Sequence, residues 1–231
     1  MVRLLNKLYR HNAQVALVAG IACSVAIALG LWTMRARAAR ASACRGMLTQ
    51  IAWALEGYHQ HYGTLPPAYI ADASGRRLHS WRVLILPFWD SGIPYEKYHF
   101  DEPWNGPRNS ALASAYGDRS PFLCPSDTDD EHTSYVVVVG QRTLWHGDTP
   151  VRIDPGSRDE VLVVEVHGSG IHWMEPRDIE YEDALDPNSP VRPRLEHTHG
   201  SGFHYVNAAL HAHTFEGPLE SSRLTELLNV E

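Results

Sequence analysis

At 231 residues the chain has room for one domain of ordinary size with an appendage, or for two small domains. Hydrophobic residues at 44% against 20% charged exclude a wholly disordered chain, and three Cys are too few for a disulfide-dense scaffold or a four-Cys zinc ribbon. Of the 20 Lys and Arg, seven precede residue 46, where no Asp or Glu occurs, so the remaining 186 residues carry 13 positive against 27 negative side chains, a net of −14. Phosphates need a basic surface, so this balance excludes nucleic acid as the expected partner of the larger part.

Residues 13–34 contain no charged side chain and are dense in Ala, Val, Ile and Leu. As a helix they rise roughly 33 Å, about the thickness of the hydrocarbon core, so a transmembrane helix is expected there behind a short N-terminus of residues 1–12, with the lipid bilayer as its partner. Arg3, Lys7 and Arg10 precede the run; Arg35, Arg37, Arg40 and Arg45 follow it; Trp32 suits an interface. A cleaved signal peptide has a shorter apolar core, and the Arg-rich sequence that follows would translocate poorly, so a retained span is the favoured reading. Three positive residues against four leave the orientation open.

The helix is expected to continue out of the membrane over residues 35–62. That stretch holds no Pro, and Met47, Leu48, Ile51, Leu55 and Tyr58 recur at spacings of three and four. Gly63, Pro66 and Pro67 end it.

Residues 63–231 change character, with short β-prone runs between Gly, Pro, Asp and Asn. Residues 81–88 (WRVLILPF) read as a helix or a buried strand. Residues 134–139 (SYVVVV) and 160–166 (EVLVVEV) are the clearest strands. Residues 203–207 and 209–215 read as two arms of a final hairpin, 181–196 as a loop, and 219–228 as a short closing helix. The expected class is α+β, a long N-terminal helix packed on an antiparallel β-sheet. That layout resembles type IV pilins and pseudopilins.

Several stretches point further. They are CRGMLTQIAWALEGYHQHYGTLPP from Cys44, SWRVLILP from Ser80, YHFDEPWN from Tyr98 and FLCPSD from Phe122. To these are added the strand from Ser134 to Gly140, the stretches Glu160–Glu165 and Trp173–Asp178, and the segment His199–Phe215. In this order the pieces resemble the domain of unknown function 1559 family, whose members often carry a pilin-like N-terminus. The resemblance implies a pilin-like fold with the N-terminus in the cytoplasm and the larger domain outside the cytoplasmic membrane. It implies no catalytic residues. The chain departs from the pattern twice. No prepilin signal of the form G-F-T-L-I-E stands before Ala13, and the family's A-D-G turn is replaced by Ala208, Ala209 and Leu210, so a distorted or longer hairpin is expected.

Cys44 and Cys124 both fall in pieces of the resemblance, and in an oxidising compartment a disulfide between them would tie the long helix to the loop before the central strands. The alternative is two separate small buried residues. Cys23 lies in the span. Of the 14 His, His197, His199, His211 and His213 alternate in pairs, so imidazoles on paired strands are a candidate zinc or copper site, the alternative being surface histidines of a His-rich protein; His204 lies in the same stretch. Glu165, His172 and Glu175 would suit acid–base work only if they converged. Trp104 and Trp173 read as core anchors. No nucleophile elbow, P-loop or dinucleotide fingerprint occurs. The expected function is therefore that of a non-enzymatic, membrane-anchored, pseudopilin-like envelope protein acting through assembly or surface presentation with other pilin-like or envelope proteins. The alternative is an extracytoplasmic small-solute or metal-binding module using the His cluster.

Overall fold

The structure is a computed structural model that describes residues 2–90, 92–116, 122–127, 132–153, 159–190, 202–217 and 220–229; side chains are described from residue 19 onward, those of Arg37 and Tyr116 excepted. Two compact units are present, residues 1–41 and 42–231.

Helix α1 runs from Val2 to Tyr62. Its first part presents Ile21, Val25, Ile27, Leu29, Leu31, Trp32 and Met34 with more than half of each surface exposed. The helix is long and apolar enough to cross a membrane. Within the second unit α1 behaves differently. Cys44, Leu48, Ile51 and Leu55, spaced four, three and four apart, are fully buried, and Met47 and Tyr58 flank them half-buried. This is the stripe a surface helix lays on a core, worth about 1.5–3 kcal/mol for each large aliphatic side chain it buries. Gly63 ends the helix at φ 77°, donating its N–H to the His59 carbonyl at 2.8 Å.

Strands β1 (Tyr69–Ala71) and β2 (Arg77–Ser80) form an antiparallel ribbon. Helix α2 (Trp81–Leu84) follows at once, capped by the Ser80 hydroxyl, which accepts from the Arg82 N–H, and a 3₁₀ turn covers Leu86–Phe88. The apolar run 81–88 is thus helical. Helix α3 (Pro107–Tyr116) comes next; its residues give no amphipathic period.

The central sheet has four antiparallel strands in the order β3 (Tyr135–Val136), β5 (Val161–Glu165), β7 (Gly202–Asn207), β8 (Ala212–Glu216). A separate parallel pair joins β4 (Val138–Val139) to β6 (Ile179–Glu180). Residues 135–139 alternate between two cores: Tyr135, Val137 and Val139 face the side of α1, Val136 and Val138 the other. The second core is closed by helices α4 (Tyr181–Leu185) and α5 (Ser221–Leu228), through Tyr181, Ala184, Leu224, Leu227 and Leu228. Burial on both faces explains why these strands read as unbroken valine runs instead of alternating.

Three expectations change in detail. The stretch 181–196 opens with α4 instead of a loop, because Tyr181 and Ala184 reach the second core; residues 191–196 lie outside the described residues. The last hairpin is joined by Ala208–His211, with Leu210 at φ 59° and the Asn207 side chain accepting from the His211 N–H at 3.0 Å. An Asn carbonyl organises the turn in place of Asp-Gly. Helix α5 begins at Ser221, two residues after the expected start.

Close packing at Gly140 gives a first test. A Cβ there would stand 2.6 Å from the Tyr181 Cβ, so Gly140→Ala must push α4 away from β4. A loss of about 1–3 kcal/mol is expected, read as a lower urea midpoint with an unchanged slope.

Candidate functional site

The densest polar cluster is built by residues far apart in sequence. Arg82, on α2, is fully buried, and so, nearly, is the Asp178 side chain before β6. Arg82 Nη2 donates to Asp178 Oδ1, Nε to the Tyr135 carbonyl at 2.9 Å, and Nη1 to Ser80 Oγ at 2.9 Å and the Glu175 carbonyl at 3.4 Å. Asp178 Oδ1 also accepts from the Val137 N–H at 3.0 Å and Trp81 Nε1 at 3.3 Å. Burial pushes the Asp178 carboxyl up to about 6, against the opposing pull of Arg82 and of these hydrogen bonds. Burial likewise lowers the Arg82 guanidinium. Both directions say that desolvation outweighs attraction in this pair. Sequence reading missed it. Its signal was a lone Arg inside the apolar run WRVLILP, because a buried charge demands a partner.

Beside the pair lies a cleft of about 240 Å³ whose lining includes Arg77, Ser169, Ile171, Arg177, Asp178 and Asp183. Its cations are engaged by the protein. Arg77 bonds Glu180 at 3.0 Å and lies 4.3 Å from the centre of the Tyr69 ring, and Arg177 bonds Glu175 at 2.6 Å and the Gly170 carbonyl.

A second cluster surrounds the cysteines. Cys44 on α1 and Cys124 form a disulfide with Cα atoms 5.0 Å apart. The Cys124 N–H donates to Ser134 Oγ at 2.9 Å, and Asp127 Oδ2 accepts from Ser134 Oγ at 3.2 Å and the Gly168 N–H at 3.1 Å. Tyr135 Oη donates to the Cys44 carbonyl at 3.2 Å. A carboxylate oxygen of buried Glu165 lies within 4.8 Å of both sulfurs.

The other candidates fall partly among the described residues. His197 and His199 lie outside the described residues. His211 and His213 are exposed, with ring centres 6.4 Å apart, and His213 stacks on Tyr205 at 5.4 Å. His204, adjacent to Tyr205 on β7, points to the opposite face and bonds Thr214 Oγ1 at 2.9 Å. Among the described residues the one group of three metal-capable side chains is Cys44, Cys124 and Glu165, and it includes neither His211 nor His213. His172 stacks on Trp104 at 5.4 Å, and burial lowers its pKa. Glu175 accepts from the His172 N–H at 3.2 Å and pairs with Arg177, whereas Glu165 stands by the disulfide. Glu165 and Glu175 thus serve separate environments. Trp173 is a core residue, as expected, and Trp104 packs half-buried against that core.

The residues that carry most of these ties come from a few short stretches: 44–67, 80–87, 122–127, 134–140, 160–165 and 173–178. A family described as "Protein of unknown function (DUF1559)" matches residues 34–186. Comparison with curated proteins and with solved structures finds no match.

Proposed function

The chain belongs to the DUF1559 family, and from that premise we propose that it is a non-enzymatic, membrane-anchored envelope protein of pseudopilin-like design. Its α+β domain stands outside the cytoplasmic membrane and presents loops to other envelope proteins. The observation that carries this reading is α1 itself: one helix supplies an apolar stretch of membrane-spanning length and then the buried stripe of the domain. The disulfide supports an oxidising compartment for residues 42–231. The motif residues support a role other than catalysis, because Arg82, Asp178, Cys44, Cys124 and Asp127 are each engaged in holding the domain together. On the outward side of α1, Trp53 is 68% exposed, a large apolar surface suited to a neighbouring helix.

Topology and assembly are both testable. With a C-terminal epitope on the full chain, protease added to intact spheroplasts should remove the epitope while the protein stays in the membrane pellet after alkaline carbonate. Protection of the epitope would place the domain in the cytoplasm and end the proposal. In a Cys23→Ser background, Trp53→Cys should give oxidant-dependent cross-linked species in membranes. Cysteine at Tyr62, exposed and half a turn round the helix from Trp53, is the comparison.

A further inference from the structure

Cys44 and Cys124 are 0% and 2% exposed, so solvent has little direct access to either sulfur. The thiolate is the species that attacks in disulfide exchange, so closure of this bond inside the folded domain needs a local base. The sheet places one beneath the sulfurs. Tyr135 and Glu165 are directly paired on β3 and β5, and one step on from the Val164–Tyr205 pair brings His204 of β7 opposite Glu165, with Thr214 of β8 next in line. This polar row crosses the four-stranded sheet on the face that carries α1. Burial raises the Tyr135 hydroxyl well above its ordinary value, and the nearby carboxylates of Glu165 and Asp127 add to the rise.

We infer that Glu165 is the proton acceptor for formation of the Cys44–Cys124 disulfide, a chemical role within the domain's own maturation. The inference rests on the geometry of this cluster and not on the membrane topology proposed above. The oxidant is a small disulfide such as glutathione disulfide. One protein thiolate attacks it, giving a protein–glutathione mixed disulfide and one glutathione thiolate, which takes up a proton. The second cysteine passes its proton to the Glu165 carboxylate and attacks the mixed-disulfide sulfur of the first. The protein S–S bond forms, the protein–glutathione bond breaks, and the second glutathione leaves as thiolate and is protonated. Overall the two protein thiols are oxidised by two electrons and one glutathione disulfide is reduced to two glutathiones. The titratable groups around Glu165 are Cys44 from α1, Cys124 from the 122–127 turn, Tyr135 from β3, on which Asp127 also acts, and His204 from β7.

The test uses the full chain in detergent, carrying Cys23→Ser so that only two thiols react. The protein is reduced, freed of reductant and mixed with glutathione disulfide; samples are acid-quenched and weighed intact. Wild-type protein should pass through little mixed disulfide. Glu165→Gln should accumulate the glutathione adduct and close at least about tenfold more slowly, with Glu165→Asp recovering much of the rate. An unchanged closure rate in Glu165→Gln overturns the inference. Should Glu165→Gln fail to fold, the wild-type pH profile of the second step alone decides, read by preparing the protein–glutathione adduct at pH 4 and then raising the pH. An internal acceptor makes closure nearly independent of pH between 6 and 8, whereas a tenfold rise per pH unit means that solvent hydroxide makes the thiolate and Glu165 has no part.

Discussion

Arg82→Met is expected to cost about 3–5 kcal/mol at pH 8, measured by urea unfolding of the full chain in mild detergent with tryptophan fluorescence. The variant keeps the aliphatic stem and removes all three donor nitrogens at once, taking one partner from each of the Tyr135 and Glu175 carbonyls and leaving Asp178 without its counter-charge. Asp178 already sits at about 6, above the ordinary 3.8, because burial outweighs the opposing pull of Arg82, the Val137 N–H and Trp81. A carboxyl raised in the fold binds its proton more tightly there than in the unfolded chain. Its contribution to stability is therefore full below about pH 4 and is lost as pH rises through about 6. Without Arg82 the carboxyl moves higher still, so the penalty of Arg82→Met should be largest at pH 8 and shrink by more than about 1 kcal/mol at pH 5, where Asp178 is protonated. Arg82→Lys should fall between, since one ammonium cannot fork to Asp178, Ser80 and two carbonyls together. A cost under about 1 kcal/mol at every pH would show that the pair holds nothing together.

That cluster also shows where the sequence was legible and where it was not. The stripe Cys44, Leu48, Ile51, Leu55 could be read because one face of one helix is buried and the spacing records it. The valine strands could be read because both faces are buried and β-branched residues fill them. Helix α3 could not, since Pro107–Tyr116 alternates small and polar residues with no apolar stripe. Helix α4 was hidden in a Pro- and Asp-rich stretch and exists through tertiary contacts of Tyr181 and Ala184. Arg82 and Asp178 lie 96 residues apart, and no local pattern pairs them. The pairing of Cys44 with Cys124 came from family resemblance, not from spacing. Of the candidate metal histidines, His197 and His199 lie outside the described residues; His213 stacks on Tyr205, while the neighbouring His204 faces the other way and bonds Thr214. Motif density therefore reported architecture. The stretches that resemble the family meet one another across the fold, and the outward surfaces are left to whatever partners the protein has.

Removing the disulfide is expected to have the second large effect. Cys44 and Cys124 are separated by 80 residues, and closing a loop of that length restricts the unfolded chain by about 4–5 kcal/mol on the chain-entropy view. The bond also fixes α1 against the turn that holds Ser134 and Asp127, so the folded side has little slack to take up the change. Cys44→Ala combined with Cys124→Ala, a pair that leaves no buried thiol or hydroxyl, should lower the melting temperature by roughly 10–15 °C for a unit of this size. The Tyr135 bond to the Cys44 carbonyl survives in that variant, so α1 stays in register and the loss reports the covalent tie alone. Differential scanning calorimetry of wild-type protein with and without strong reductant supplies the matching measurement. The reduced protein should melt close to the double variant. If reduced and oxidised proteins melt together, packing of the Leu48, Ile51, Leu55 stripe already holds α1 in place, and the disulfide does not contribute to the stability of the domain.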